Sequence, residues 1–262
     1  MASGKASKRR RAAQQALPHA PVLRGTPMLA DRRVWIAAAT AAAIALAVVI
    51  GIVSTRGGGG DVPPGSTLPE AAEATALFRD ISQQGVALGR VGAPVTLVEF
   101  IDMQCPFCRE FEVDVLPTLI EKHVRSGKVR IEIRGLTFLG PDSERGMRAV
   151  LAAGRQNRLF EVMELLFFNQ GPENSGWLSQ DLVEAAARSI PGLDAARLVA
   201  DMETGEVSDL IAEHADDAKR RGVNSTPTIL VGKTGGELTR VDLASPSDIA
   251  GVERAIAAAL NA

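Results

Sequence analysis

The 262-residue sequence has few of the side chains that bind metals or form disulfide scaffolds, with two cysteines and three histidines. A structural zinc site usually needs four protein ligands. The alternative of a Cys2His2 site would combine both cysteines with His123 and His214, and nothing in their spacing favours it. A small domain held together by disulfides would also carry several cysteine pairs. We therefore predict no metal and no cofactor, and a chemical role for the two cysteines.

Positive charge is scarce in most of the chain. Of 29 Lys and Arg and 31 Asp and Glu, residues 1–56 contain nine basic and one acidic side chain, which leaves 20 basic against 30 acidic for the rest. An acidic surface of this kind repels a phosphate backbone. The sequence therefore predicts no nucleic-acid partner.

The basic segment leads into a long run without charge, residues 34–53. At about 1.5 Å per residue, a helix of this length crosses a hydrocarbon core of about 30 Å. Because the preceding residues 1–33 are basic, the positive-inside tendency places them in the cytoplasm. The sequence predicts a cytoplasmic tail at 1–33, a single transmembrane helix at 34–53, and a catalytic domain on the outer face of the cell membrane.

Two export signals are alternatives to a retained membrane anchor. A cleaved signal peptide would have a shorter apolar segment and a site with small residues, and GIVSTRGGGGD, residues 51–61, offers no convincing one. Arg32 and Arg33 also loosely resemble a twin-arginine signal, although paired arginines are common before membrane helices.

The rest of the chain is predicted to form a linker and one domain. Residues 54–74 are rich in Gly, Pro, Ser and Thr and indicate a flexible linker. In the domain, 75–262, apolar patterns predict an α/β order of strand, helix, strand, helical insertion, hairpin and helix. The predicted elements are strands at 95–101 and 128–135, a helix from 105 to about 126 kinked at Pro117, an insertion at about 140–220, strands at 228–231 and 238–243, and a last helix at about 247–260.

Both cysteines, Cys105 and Cys108, lie directly after the first strong strand, in DMQCPFCREFE. A structural disulfide here would close a loop of only a few residues and contribute little stability. Redox chemistry explains the pair better, because a helix N-terminus favours the thiolate of Cys105, and Pro106 is tolerated at the first helical position. We predict that Cys105 is the exposed nucleophile and Cys108 the buried resolving thiol.

An acid precedes this pair in the predicted strand. Glu99 shares a strand face with Val95, Leu97 and Ile101, where an ionised carboxylate is unfavourable. Burial would raise its pKa and allow it to exchange a proton with Cys108. The alternative is that Glu99 lies at a sheet edge in water.

These residues resemble the DsbA-like thiol:disulfide oxidoreductases of the thioredoxin superfamily. The resemblance rests on VTLVEFIDMQCPFC at 95–108, on GVNSTPTILVG at 222–232 and on the helical insertion between them, and it covers roughly residues 80–262. It implies a thioredoxin fold in which Pro227 is cis and packs with Thr226 against the active-site disulfide. It also implies that Thr226 offers backbone hydrogen bonds to the substrate. Without the resemblance, a trans proline at the start of a strand would be expected.

The resemblance implies a function with one open question of direction. We predict catalysis by Cys105, Cys108, Glu99 and Pro227, with substrate contacts from Thr226, Pro106 and Phe107. The strong oxidase of the family has histidine between its cysteines, and Phe107 cannot stabilise the Cys105 thiolate by charge. A less stabilised thiolate makes a weaker oxidant, so the direction of catalysis, oxidation or reduction, is open.

We predict an enzyme that forms disulfide bonds in exported or cell-surface proteins, reoxidised by a quinone-linked membrane protein of the DsbB or vitamin K epoxide reductase type. A disulfide reductase or isomerase is one alternative. A peptide-binding chaperone that uses residues 165–168 is another, although these residues fit a helix core.

Overall fold

A mixed sheet of six strands forms the centre of the computed structural model, which describes residues 62–63 and 65–262. These residues belong to one unit, Thr55–Ala262. The strand order is β1-β2-β4-β3-β5-β6. The strands are β1 (Gln83–Gln84), β2 (Ala87–Leu88), β3 (Val95–Ile101), β4 (Val129–Gly135), β5 (Thr228–Lys233) and β6 (Leu238–Arg240).

Strand β3 lies in the middle of this sheet, parallel to β4 and antiparallel to β5. All seven of its residues are buried, as its run of β-branched and apolar side chains predicts. Glu99 is paired with Ile133 on one side and Ile229 on the other. A sheet-edge position for Glu99 is therefore excluded.

Nine α-helices surround the sheet in the described part of the chain. They are α1 (Ala71–Leu77), α2 (Pro106–Asp114), α3 (Leu116–Leu119), α4 (Pro141–Gly154), α5 (Leu159–Phe168), α6 (Gln180–Ser189), α7 (Ala195–Met202), α8 (Gly205–Arg220) and α9 (Ile249–Asn261). Helices α4 to α8 form the predicted all-helical insertion between β4 and β5. The buried apolar faces of α4 and α5 belong to the same core as β3.

The helix predicted from Cys105 to about residue 126 is divided into three parts. Helix α2 ends at Asp114, the short α3 follows, and a π-helical turn spans Ile120–Val124. Pro117 has no N–H to donate to the preceding turn, and it falls in the first turn of α3, where none is needed. The expected kink is thus a break at Val115, two residues before the proline.

The N-terminal part of the domain contains structure that the sequence patterns did not indicate. Helix α1 begins inside the segment predicted as a flexible linker, 54–74, and Leu68, Ala71 and Ala74 are buried in the core. The hairpin of β1 and β2 was also not predicted, because strands of two residues show no alternation.

The predicted basic tail, transmembrane helix and first part of the linker lie outside the described residues. Within residues 62–63 and 65–262, none of the helices has the length and apolar character needed to cross a bilayer.

Candidate active site

The cysteine motif lies where β3 passes into α2. Cys105 is the N-cap residue of α2, and its Sγ accepts a hydrogen bond from the backbone N–H of Cys108 at 3.4 Å. Pro106 occupies the first helical position, as predicted. Unpaired N–H groups and the positive end of the helix dipole therefore point towards the Cys105 sulfur.

This environment lowers the pKa of Cys105 from 9.0 to about 6. The largest cause of the lowered pKa is a hydrogen bond from the Cys108 thiol. Further hydrogen bonds lower it too, from the side chain of Thr226 and from the N–H groups of Cys108 and Phe107. Burial of the sulfur acts in the opposite direction. Phe107 thus helps through its backbone, although its exposed side chain carries no charge. At neutral pH Cys105 is mostly thiolate.

The prediction of an exposed Cys105 is wrong, since only 4% of the residue is accessible. The neighbouring residues Pro106 and Phe107 are exposed instead, and Phe107 is 55% accessible. The loop before β5 contacts the sulfur, because Cys105 Sγ lies 3.3 Å from the carbonyl oxygen of Thr226, to which it donates a hydrogen bond in its protonated form. A reaction partner therefore approaches the sulfur past Pro106, Phe107 and the Thr226 loop.

The Thr226–Pro227 peptide bond is cis, as the resemblance implied. Both residues are partly exposed, while Thr228 directly after them is buried at the start of β5. Because the Thr226 carbonyl lies at the Cys105 sulfur, the two residues share one surface with the cysteine motif.

Cys108 is fully buried, and burial raises its pKa well above 9.0. Glu99 is also fully buried, and its pKa is raised to about 8, mainly by loss of solvation, with the charges of Glu164 and Cys105 acting in the same direction. The charge of Glu99 further raises the pKa of Cys108. The predicted burial and raised pKa of Glu99 are confirmed, and the two groups interact.

Two further carboxyl groups near Glu99 were not predicted from the sequence. Glu112 of α2 and Glu164 of α5 are fully buried, and burial raises the pKa of both well above 4.5. Glu112 follows Cys108 by four residues, so the helical period places both on one face, which is a signal in the sequence. Glu164 lies within an apolar run on a distant helix, and the sequence offers no comparable signal.

Polar side chains fix the backbone around the motif. Asp102 accepts hydrogen bonds from the N–H groups of Gln104, Phe138 and Leu139 at 2.9 to 3.2 Å. The side-chain amide of Gln170, two residues after the end of α5, donates to the carbonyl oxygens of Met103 and Cys105 at 3.0 and 3.2 Å. The helical insertion thereby holds the backbone that carries the nucleophile.

Two other hypotheses from the sequence can be compared with this geometry. Of the residues 165–168 that a peptide-binding chaperone would use, Leu165, Leu166 and Phe167 are fully buried in the core and line no open groove. Phe168 is half-buried and packs against the same core. His123 and His214 do not join the cysteines. In the described part of the chain, no group of three or more His, Cys, Asp or Glu residues is arranged to hold a metal.

Comparisons with known proteins agree with this fold. A family model described as Thioredoxin matches residues 82–245, which is more than half of the chain. The chain belongs to the thioredoxin family. It is 29% identical over 158 residues to the "Probable disulfide bond formation protein D" of Bacillus cereus, a match that covers 59% of this chain and 72% of that protein.

Solved structures show the same architecture. A thioredoxin-like oxidoreductase from Silicibacter pomeroyi is 28% identical with a TM-score of 0.54, covering 75% of this chain and 99% of that one. Oxidised BdbD from Bacillus subtilis is 22% identical with a TM-score of 0.60, covering 70% and 98%, and shares the fold. The predicted thioredoxin-like α/β fold with a helical insertion is confirmed. The predicted enzyme class, thiol:disulfide oxidoreductase, is confirmed as well.

Proposed function

We propose that this enzyme forms disulfide bonds in exported or cell-surface proteins through Cys105 and Cys108. The observation that carries the proposal is the unequal pair of thiols: the pKa of Cys105 is lowered to about 6, and that of Cys108 is raised well above 9.0. A stabilised thiolate favours the reduced protein and makes the disulfide a better oxidant. The disulfide-forming relatives support this direction.

The reaction begins with the Cys105–Cys108 disulfide. A substrate thiolate attacks Cys105 Sγ, a mixed disulfide forms, and Cys108 leaves with the electron pair of the broken bond. Glu99 gives Cys108 its proton, because its raised pKa keeps a proton available near neutral pH. A second substrate thiolate then attacks the substrate sulfur of the mixed disulfide. The substrate disulfide is released, and Cys105 leaves as a thiolate.

The surface around Cys105 would bind the substrate. Thr226, Pro106 and Phe107 surround the sulfur, and the exposed Phe107 ring offers apolar contact to residues flanking a substrate cysteine. Pro227 shapes the loop on which Thr226 presents its backbone. These contacts involve backbone and one aromatic ring, so they suit many unrelated protein substrates.

The reduced enzyme has to lose two electrons before it acts again. We propose a quinone-linked membrane protein of the DsbB or vitamin K epoxide reductase type as the acceptor. The proposal is supported by the charge-free run at 34–53 after the basic residues 1–33, which would anchor the chain with its catalytic domain on the outer face of the cell membrane.

Two variants test the proposed reaction in the full chain. Cys105→Ser is expected to lose all turnover in oxidation of a two-cysteine peptide, because no other thiol is reactive. Cys108→Ser, mixed with the disulfide form of the same peptide, is expected to give a covalent enzyme–peptide complex on a non-reducing gel, because the Cys105 thiolate attacks the peptide disulfide, one peptide thiolate leaves, and no second enzyme thiol is present to release the peptide. Turnover that survives in Cys105→Ser would contradict the proposal.

A further inference from the structure

The residue directly before the nucleophile is a buried glutamine. Gln104 is 1% accessible, and both polar atoms of its side chain are hydrogen-bonded. The amide nitrogen donates to the carbonyl oxygen of Leu139 at 3.2 Å, to Ser143 Oγ at 3.2 Å and to Asn174 Oδ1 at 3.3 Å. The amide oxygen accepts a hydrogen bond from the backbone N–H of Asn174 at 2.6 Å. The side chain is thus held from several directions.

The partners of Gln104 all belong to the helical insertion or to the loop that leads into it. Leu139 lies just before α4, and Ser143 lies in the first turn of α4. Asn174 lies in the loop between α5 and α6, residues 169–179. These contacts span separations of 35 to 70 residues along the chain. Gln104 therefore joins the cysteine motif to two separate segments of the insertion.

The loop between α5 and α6 fits closely at this point. Asn174 has a φ of 55°, and Gly140, at the start of α4, has a φ of 127°. A Cβ on Gly140 would collide with Asn174 Oδ1, so glycine leaves the space that Asn174 needs beside Gln104. The N–H of Gly176 donates to Asp142 Oδ2 at 2.9 Å and holds the same loop against α4. The loop is therefore fixed where it meets Gln104.

The backbone around Gln104 sets the position of the Cys105 sulfur. Asp102 holds this backbone from one direction, because its Oδ1 accepts the N–H of Gln104 at 2.9 Å and its carbonyl oxygen accepts the N–H of Cys105 at 3.0 Å. The Gln104 side chain holds it from the insertion. Cys105 Sγ in turn accepts the N–H of Cys108 at a distance of 3.4 Å. Since hydrogen bonds weaken steeply as their geometry is lost, a small shift of residue 104 would weaken this contact.

We propose that Gln104 is a positioning residue, which holds the Cys105 backbone against the helical insertion and thereby keeps the sulfur at the N–H groups of α2. This inference rests on the proposed function, because it concerns the thiolate that leaves when the substrate disulfide forms. Gln104 acts through Cys105 and exchanges neither electrons nor protons. The insertion thus contributes to the stability of the thiolate through a neutral side chain.

The test measures the thiolate of Cys105 in the reduced full chain, by the rate of alkylation with iodoacetamide over a range of pH. The variant Gln104→Met keeps the length of the side chain and removes its hydrogen bonds. Gln156→Met is the matched control, since Gln156 contacts the N–H and the carbonyl oxygen of Asp194 at 3.0 and 3.1 Å. Gln156 follows the C-terminal end of α4, at the opposite end of that helix from Ser143. Urea unfolding reports the stability of both variants.

A double variant, Ser143→Ala with Asn174→Gly, tests the same contacts without a change next to the cysteines. It removes two of the three acceptors of the Gln104 amide, and glycine tolerates the φ of Asn174. This variant decides the question if Gln104→Met does not fold.

We expect the alkylation midpoint to rise by about one pH unit or more in Gln104→Met, which is a tenfold loss of thiolate stabilisation. In the double variant we expect a rise of about half a pH unit, because part of the hydrogen bonding remains. Gln156→Met is expected to lose stability and to keep the midpoint of the unchanged chain.

Two results would overturn the inference. One is a folded Gln104→Met, or in its place the double variant, with the same midpoint as Gln156→Met. The other is an equal rise in Gln156→Met, which would indicate a general loss of stability. A failure of the proposed function looks different: the midpoints would change as expected, and the unchanged chain would not oxidise a two-cysteine peptide.

Discussion

The reactivity of Cys105 depends on a few hydrogen bonds at one helix end. Its thiolate is stabilised by the Cys108 thiol, by Thr226 and by two backbone N–H groups, and these contacts outweigh the effect of burial. Histidine is therefore not required between the cysteines for a low thiol pKa. Position at the helix N-terminus matters more here than the side chain of Phe107.

The pH dependence of Cys105 alkylation measures this stabilisation. In the reduced chain, we expect the alkylation rate with iodoacetamide to rise with pH through a midpoint near 6, because the thiolate is the nucleophile. In Cys108→Ala the midpoint is expected to move towards 9.0, since the largest stabilising contact is removed. A midpoint above about 8 in the unchanged chain would contradict the described site.

Local residues of the site could be predicted from the sequence, and distant ones could not. Cys105, Cys108 and Glu99 are fixed by one strand and the helix that follows it. The burial of Cys105 depends on the Thr226 loop, which is more than a hundred residues away, so local reasoning predicted an exposed sulfur. Glu164 belongs to the site only through the packing of α5 against α2.

At the level of elements, Asp102 joins the end of β3 to the loop after β4. It is buried and accepts three backbone N–H groups, from Gln104, Phe138 and Leu139. The loop that leads into the helical insertion is thereby tied to the cysteine motif. The position of the insertion over the active site depends on this connection.

Replacing Asp102 tests the connection. We expect Asp102→Ala to lower the free energy of unfolding by about 2–3 kcal/mol, because three donors lose a buried acceptor. Asp114→Ala is the matched control, because Asp114 is an exposed acid at the end of α2, and its change is expected within about 0.5 kcal/mol. Urea unfolding followed by circular dichroism measures both. Equal stability of the two variants would contradict the role of Asp102.

Element prediction succeeded where a pattern was long and strong. The seven-residue strand β3 has the predicted bounds, because an apolar β-branched run is a specific signal. Helix α1 reads AAEATAL, whose small side chains show little apolar periodicity. It is stabilised by packing in the core, which the sequence does not display.

At the scale of the whole molecule, three parts of the enzyme meet at the active site. The sheet supplies Glu99, the helix that follows β3 supplies Cys105 and Cys108, and the insertion supplies Gln170 and Glu164. The order of elements along the chain predicts an α/β domain, and the resemblance carried by residues 95–108 and 222–232 predicts the thioredoxin-like fold. The fold did not reveal which residues of the insertion turn towards the thiols, since this depends on how helices pack.

The low pKa of Cys105 also contributes to the driving force of the reaction. At pH 7, lowering the pKa of Cys105 from 9.0 to about 6 stabilises the reduced protein by roughly 1.4 kcal/mol, or about 30 mV for a two-electron couple. The value of about 6 lies between the thiol pKa of thioredoxin, about 7, and that of DsbA, about 3.5. We therefore expect the reduction potential of the Cys105–Cys108 couple to lie between those of thioredoxin and DsbA.

The reduction potential of the Cys105–Cys108 couple is the measurement that tests the central claim most directly. The full chain is equilibrated at pH 7 with mixtures of reduced and oxidised glutathione, and the reduced fraction is determined by alkylation. We predict a value between those of thioredoxin and DsbA, which are about −270 mV and about −120 mV. Such a couple can oxidise the cysteine pairs of substrate proteins to structural disulfides, whose reduction potentials lie below about −300 mV. A value at or below about −270 mV would contradict the proposed oxidase and indicate a reductive role.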